Sequence, residues 1–153
     1  PEDIHLVLVG KRTYYTNQID AFIKSHRLEK RVHLLHDVTF QYLPAIYQQA
    51  EIFVYPSRFE GFGIPIIEAL HSGIPVIAAT GSCLEEAGGP DSLYVHPDDK
   101  EGMTKAICSL LNHPEKRQHM IEQGLKYVTR FSEQRQAEEL MNLYRSLTEE
   151  KTI

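Results

Sequence analysis

Two glutamates, Glu60 and Glu68, stand eight residues apart around a glycine-bearing loop, and they open the functional reading of this chain. The stretch runs Pro56-Ser57-Arg58-Phe59-Glu60-Gly61-Phe62-Gly63-Ile64-Pro65-Ile66-Ile67-Glu68-Ala69-Leu70. Gly61 and Gly63 let a backbone approach a ligand closely and adopt positive φ. Pro65 suits the first turn of a helix, where its missing N–H costs nothing. A helix starting there presents free amides and the positive end of its dipole to an anion. Read one at a time, these residues are ordinary. Glu68 is then a solvated position on an amphipathic helix, Glu60 a loop carboxylate in water, and the glycines a strand-to-helix turn. Gly61-x-Gly63 is not a dinucleotide fingerprint, because Ile66 stands where the third glycine would be.

The elements around that stretch must hold it in place. Short apolar runs predict strands at Ile4–Val9, Arg31–Leu35, Glu51–Tyr55, Pro75–Ala79 and Ser92–Val95. Helical spacing predicts helices over Asn17–Arg27 (Ile19, Phe22, Ile23) and Gln41–Gln49 (Leu43, Ile46, Tyr47). The motif helix spans Ile64–His71, stopped by Ser72-Gly73. A short helix follows Ser82 through Leu84, Glu85 and Glu86, ended by Gly88-Gly89-Pro90. Lys100–Asn112, Glu115–Val128 and Glu133–Leu147 close the chain as amphipathic helices, the last capped by Ser132. The strands are continuous apolar runs rather than alternating ones, as in a parallel sheet covered on both faces. The fold class is therefore α/β, a Rossmann-like doubly wound parallel sheet, with ligands beyond the carboxyl ends of its strands.

Composition narrows the partners. The 153 residues are 42% hydrophobic and 24% charged, the balance of one globular domain, with disorder expected only at Glu149–Ile153. The net charge of −5, with lysines and arginines scattered, excludes a basic platform for nucleic acid and argues against a polybasic membrane patch. No apolar run approaches the roughly 18 residues of a membrane span. Cys83 and Cys108 have neither metal-ligand nor redox spacing and read as buried or half-buried thiols in a reducing compartment. The chain begins Pro1-Glu2-Asp3 without a methionine and enters a strand at once, so an excised domain is expected.

Taken whole, the Glu60–Glu68 stretch resembles the E-x7-E motif of family 4 (group 1) retaining glycosyltransferases, enzymes of the GT-B fold. The resemblance extends to Glu68-Ala-Leu-His-Ser-Gly-Ile-Pro-Val-Ile-Ala, to Leu93-Tyr-Val-His-Pro-Asp-Asp, and to Val9-Gly10-Lys11. It covers essentially the full chain and matches the C-terminal, donor-binding half of that fold. It departs at Leu84-Glu85-Glu86, where many relatives have Pro-Glu, and either Glu85 or Glu86 can occupy that position.

The resemblance implies roles. Glu60 would lie by the donor sugar near its anomeric carbon, and Glu68 would accept hydrogen bonds from the ribose hydroxyls. Backbone amides of Gly61, Phe62, Gly63 and Ile64 would face sugar and diphosphate. The His36-Asp37-Val38 segment matches a loop that meets the base, with Val38 as the contact. Gly10 and Lys11 would end the first strand at the same rim, Lys11 assisting the diphosphate. The resemblance also implies that a first βα unit, bearing an Arg and a Lys for the diphosphate, and an N-terminal acceptor domain are missing from residues 1–153.

Other candidates read more plainly. His33 and His36 flank a strand end without a third ligand, so no metal site is expected. His71 is expected to cap helix carbonyls, and Tyr14-Tyr15 to be loop aromatics. Ser57 reads as a small residue packed beneath the loop. The function expected is transfer of a sugar from a nucleotide-diphosphate donor to a glycan or glycoconjugate hydroxyl, with retention and without cofactor or metal. The alternatives are a non-catalytic nucleotide-binding or interaction module on this fold, or another GT-B enzyme such as an epimerase or phosphorylase. A cytoplasmic location is expected, either free or peripheral to the inner face of the membrane in the full-length enzyme. The isolated 153 residues are expected to self-associate and to transfer nothing.

Overall fold

The structure is a computed structural model that describes residues 3–149. The chain forms two compact units, Pro1–Leu43 and Pro44–Ile153.

In the first unit, β1 (Leu6–Val9) and β2 (Val32–Leu35) flank α1 (Tyr14–Ser25). The strands pair in parallel, with Leu6 opposite Val32 and Val9 opposite Leu35. Parallel pairing needs a crossover, and α1 supplies it. This helix starts three residues before the expected Asn17. Its start is fixed by two threonines: the Thr13 amide donates to Thr16 Oγ1 at 2.9 Å, and the Thr16 amide to the Thr13 carbonyl at 3.0 Å. Tyr14 and Tyr15 thus occupy a first helical turn, with both rings exposed, and are not loop aromatics. Of the expected apolar face only Ile23 is buried, while Ile19 and Phe22 are exposed. The helix stops before Arg27, which takes the left-handed conformation (φ 55°), and the Leu28 amide turns back onto the Ile23 carbonyl.

A 3-10 turn at Phe40–Tyr42 precedes α2 (Leu43–Gln48), so the helix expected over Gln41–Gln49 is split. The second unit continues with β3 (Phe53–Tyr55), α3 (Ile64–His71), β4 (Val76–Ala79), α4 (Leu84–Gly88), β5 (Leu93–Val95), α5 (Lys100–Asn112), α6 (Pro114–Val128) and α7 (Glu133–Glu149). Strands β3, β4 and β5 lie side by side in that order, all parallel. The central strand β4 is buried throughout. Its side chains alternate: Val76 and Ala78 join a cluster with Ile66, Leu70, Leu84 and Val128, whereas Ile77 joins Leu110 and Met120. Both sheet faces are therefore covered by helices, which explains the unbroken apolar runs in the sequence. Each buried Ile or Leu in these clusters contributes roughly 1.5–3 kcal/mol relative to exposure.

The α/β architecture with parallel strands is as expected, and α3 and α5 keep their expected limits. Two cysteine readings divide: Cys83 is half-buried, but Cys108 is exposed on α5, because it falls on the polar side of that helix. The Ser132 hydroxyl accepts from the Arg135 amide at 3.4 Å, at the start of α7. Residues 150–153, where disorder was expected, lie outside the described residues. Among the described residues no helix is long and apolar enough to cross a membrane.

Candidate functional site

Three parallel strands point their carboxyl ends to one edge, so the loops after Tyr55, Ala79 and Val95 emerge together there. The loop after β3 carries Glu60 and leads into α3. Its conformation is tied down at several points. Phe62 is half-buried and meets Phe131 edge to face, with ring centroids 5.6 Å apart. The Cys83 thiol donates to the Glu60 carbonyl at 3.3 Å, joining the loop after β4 to the loop after β3. Arg58 forks onto both carboxylate oxygens of Asp98 in the loop after β5, with Nη1 at 3.0 Å from Oδ2. Phe59 instead stands 94% exposed beside Glu60.

The two glycines divide their expected roles. Gly63 has φ 107°, in the left-handed region, and a Cβ there would stand 2.9 Å from Leu84 Cδ2 and 3.1 Å from Ala87 Cβ. The need for glycine at 63 therefore comes from its backbone conformation and from the packing of α3's start against α4. Gly61 is not among the positive-φ residues, and a Cβ there meets nothing within 4 Å. The expectation of positive φ at Gly61 is thus corrected: the turn needs only one left-handed residue, at the helix N-cap. Downstream, Pro65 sits in the first turn of α3, and the Ile66 amide donates to the Gly63 carbonyl at 2.9 Å. The amides of Phe62, Gly63 and Ile64 have no carbonyl partner among the described residues, so they remain as donors at the positive end of the helix.

Each glutamate has a tyrosine. The Tyr55 hydroxyl, at the end of β3, donates to Glu60 Oε1 at 2.6 Å. The Tyr47 hydroxyl, on α2, donates to Glu68 Oε2 at 3.0 Å. Both carboxylates are half-buried, so neither is the fully solvated surface group of the plain reading. The hydrogen bond from Tyr55, and after it the neighbouring Ser57 hydroxyl, lower the Glu60 carboxyl from the usual carboxylate pKa. Ser57 is half-buried, as expected of a residue beneath the loop, and its hydroxyl also reaches the Phe59 carbonyl at 3.4 Å. Desolvation, then the bond to Glu60, pushes the Tyr55 phenol up to about 12. Desolvation and the bond to Glu68 push Tyr47 higher still, so both phenols are donors across the neutral range.

Sequence reasoning gave these tyrosines no role. Tyr47 was legible as a helix-face residue and Tyr55 as the end of a strand, but a hydroxyl-to-carboxylate contact across 21 residues leaves no local signature. His71 is likewise displaced from its expected role: the Ser72 hydroxyl caps α3 by donating to the Glu68 carbonyl at 2.8 Å. At the chain's departure from the family pattern, Glu85 Oε1 accepts from the Thr80 hydroxyl and from the Gly81 amide, holding the loop after β4. Glu86 offers its carbonyl to the Tyr127 hydroxyl at 2.6 Å.

In the first unit, Gly10, Lys11 and Val38 lie at the carboxyl ends of the parallel strands β1 and β2. The Gly10 amide donates to the Leu35 carbonyl at 3.1 Å, and the Gly10 carbonyl accepts from His36 Nδ1 at 3.0 Å. Asp37 is left-handed at φ 57°, Val38 after it is half-buried, and Lys11 is exposed. Gly10 itself has open space where a Cβ would stand. His33 stacks on His5, with Nε2 2.8 Å from His5 Nδ1, while His36 is engaged with Gly10. Among the described residues no three His, Cys, Asp or Glu side chains gather as a metal-ligand set.

Known proteins resemble this chain in sequence and in fold. Residues 1–127 match the family described as "Glycosyl transferases group 1". The chain is 36% identical over 114 residues to the O-antigen chain mannosyltransferase RfbU of Salmonella typhimurium, covering 74% of this chain and 32% of that protein. It is 30% identical over 142 residues to O-antigen chain mannosyltransferase B of Escherichia coli, covering 93% and 37%. The chain thus spans about a third of the length of these curated relatives. Among solved structures, sucrose-phosphate synthase from Thermosynechococcus elongatus superposes with a TM-score of 0.82 at 28% identity, over 96% of this chain and 39% of that one. Anabaena HepE in complex with UDP superposes equally well, with a TM-score of 0.82 at 22% identity over 93% and 42%, a likeness of fold. The fold is accordingly the Rossmann-like α/β fold of the C-terminal half of a GT-B glycosyltransferase. With its family match running from the first strand to the end of the sixth helix, this chain belongs to the group 1 glycosyltransferases.

Proposed function

We propose that this chain is the donor-binding domain of a retaining glycosyltransferase that moves a sugar from a nucleotide-diphosphate donor to a hydroxyl of a glycan or glycoconjugate. The observation that carries the reading is the pair of tyrosine-held carboxylates flanking the start of α3, with unpaired amides between them. Each part has a task. The amides of Phe62, Gly63 and Ile64 and the dipole of α3 favour a diphosphate, whose negative charge grows as the glycosidic bond breaks. Glu68 has one carboxylate oxygen on Tyr47 and its other oxygen available to ribose hydroxyls. Glu60, held ionised, lies in the loop ahead of the helix and serves the sugar near its reacting carbon. The roles proposed for Lys11 with the diphosphate and for the Val38 backbone with the base rest on the family resemblance, and Lys11 is exposed at the end of β1.

The family membership supports this reading, and so do the mannosyltransferase names of several relatives, which point toward polysaccharide assembly. The chemistry proposed is departure of the nucleoside diphosphate and attack of the acceptor on the same face, with the leaving phosphate guiding the acceptor hydroxyl. The two carboxylates do not act as a glycosidase pair, since Glu68 is committed to the ribose. A non-catalytic module on the same fold has no need to keep both carboxylates oriented. An acceptor-binding domain and further cationic residues for the diphosphate are proposed to lie outside these residues.

Titration of the full-length protein with a panel of UDP-, GDP- and ADP-sugars, mannosyl donors included, tests the proposal, with transfer assayed in the presence and absence of EDTA. One donor should bind and turn over, and chelation should leave transfer in place. Binding of none refutes the function. Loss of transfer in EDTA, restored by Mn²⁺ or Mg²⁺, refutes its metal independence.

A further inference from the structure

The two motif glutamates are held by a continuous aromatic row, of which the functional reading uses only the two end hydroxyls. Tyr47 on α2 packs edge to face on Phe53, with centroids 5.3 Å apart, and Phe53 stacks on Tyr55 at 5.7 Å and 18°. All three rings pack against the buried cluster containing Val76, Ala78 and Ile66. At each end of the row a phenol leaves the apolar cluster and donates to a carboxylate, Tyr47 to Glu68 and Tyr55 to Glu60. A carboxylate on a helix or loop otherwise samples several rotamers, and ordering it on binding costs side-chain entropy. A phenol anchored in a packed core removes that freedom in advance.

We propose that Tyr47 and Tyr55 are positioning residues with separate tasks: Tyr47 orients Glu68 for the nucleotide's ribose, and Tyr55 orients Glu60 for the sugar-transfer step. The inference rests on the proposed donor-binding reading of Glu60 and Glu68. Its chemistry is a division of labour along one rigid row. One oxygen of Glu68 accepts from Tyr47, which restrains the carboxylate and leaves its other oxygen to accept from ribose hydroxyls. Glu60 accepts from the Tyr55 hydroxyl at 2.6 Å, and a donor to the carboxylate favours its anionic form. Burial keeps both phenols protonated, so each is a donor and never a competing base.

The test uses the full-length enzyme with Tyr47→Phe and Tyr55→Phe, which keep the rings and remove only the hydroxyls. Tyr47→Phe should weaken nucleoside diphosphate binding by about tenfold, the scale of one hydrogen bond to a charged group, while kcat at saturating donor changes by less than about twofold. Tyr55→Phe should leave nucleoside diphosphate affinity within about twofold, lower kcat by about tenfold, and move the acid limb of the kcat profile to higher pH. Equal losses of affinity and kcat in both variants, with no movement of the pH limb, would show that the row is only structural and overturn the proposal. Glu68→Ala and Glu60→Gln run beside them. If these impair binding and turnover while both Phe variants match the parent, the tyrosine assignment alone falls. If the glutamate variants are themselves silent, the donor-binding reading falls and takes this one with it.

Discussion

A Cβ added to Gly63 would stand 2.9 Å from Cδ2 of Leu84, so the first residue ahead of the motif helix is pressed against the helix that follows β4. The contact is tighter than van der Waals packing allows, and the backbone there is already left-handed at φ 107°. Gly63→Ala should therefore destabilise the protein by about 2–4 kcal/mol, combining the left-handed penalty with overpacking. Gly61→Ala, in open space, should stay within about 0.5 kcal/mol of the parent. Urea unfolding of the two variants measures both. A parent-like midpoint for Gly63→Ala would mean that α4 yields freely and that this packing does not set the turn.

For Glu68, the expected outcome of substitution by alanine is a loss of about 1.5–3 kcal/mol in nucleoside diphosphate binding, the range for hydrogen bonds to a charged group. The fold should survive, because Glu68 is half-buried and the core of α3 is Ile66, Ala69 and Leu70. Calorimetric titration of the full-length protein checks it. Unchanged affinity would remove Glu68 from the ribose.

Glu60→Gln should act on turnover instead, lowering kcat by about a hundredfold while nucleoside diphosphate affinity stays within about twofold. Its pH dependence has a definite sign. Tyr55 and Ser57 depress the carboxyl below its ordinary value of 4.5. More than half of the carboxyl is thus ionised already at that value, and the contribution of the anion is lost as pH falls through the lowered one. The acid limb of the parent's rate profile should fall below pH 4.5, and the Gln variant should lack it. Equal turnover in mutant and parent would release Glu60 from the chemistry.

Apolar surface on each unit leads to an expectation about association. Leu140, Leu143, Tyr144 and Leu147 form a stripe along α7 at helical spacing, each about half exposed, and Leu6, Val7 and Val9 are exposed on β1. Stripes and strand edges of this kind recruit other chains. The isolated 153 residues should self-associate at micromolar concentration, and Leu143→Glu should reduce that association. Multi-angle light scattering decides between this and a clean monomer.

Much of this was legible in the chain, for identifiable reasons. Helix α3 was bounded correctly because Pro65 and Ser72-Gly73 punctuate it, and α5 because its periodic face ends where Pro114 begins the next helix. Helix α1 was entered late because its cap uses Thr16 where a capping box has Glu or Gln, and because Tyr14 and Tyr15 have only modest helix propensity. The two glutamates were legible by spacing, yet their tyrosine partners come from other elements, brought to them only by packing around Phe53. The expected roles of His71 and Gly61 gave way to neighbours one and two residues away, Ser72 and Gly63, because a helix end is settled by which side chain and which φ reach it first.

The fork of Arg58 onto Asp98 gives the dissolved electrolyte a grip on the loop that carries Glu60. Both side chains are more than 60% exposed, so ions in the medium compete for each of them, and screening reaches within about 8 Å at physiological strength. The bond from Tyr55 to Glu60 starts from a half-buried strand residue and is largely shielded from that competition. Raising the concentration of an inert salt should therefore loosen the loop at Arg58 while leaving the carboxylate two residues later in its orientation. Of the loop's fastenings, the Arg58–Asp98 fork is the one open to the medium, while those at Tyr55, Phe62 and Cys83 are half-buried, so the loop's looseness and the orientation of Glu60 are separately adjustable.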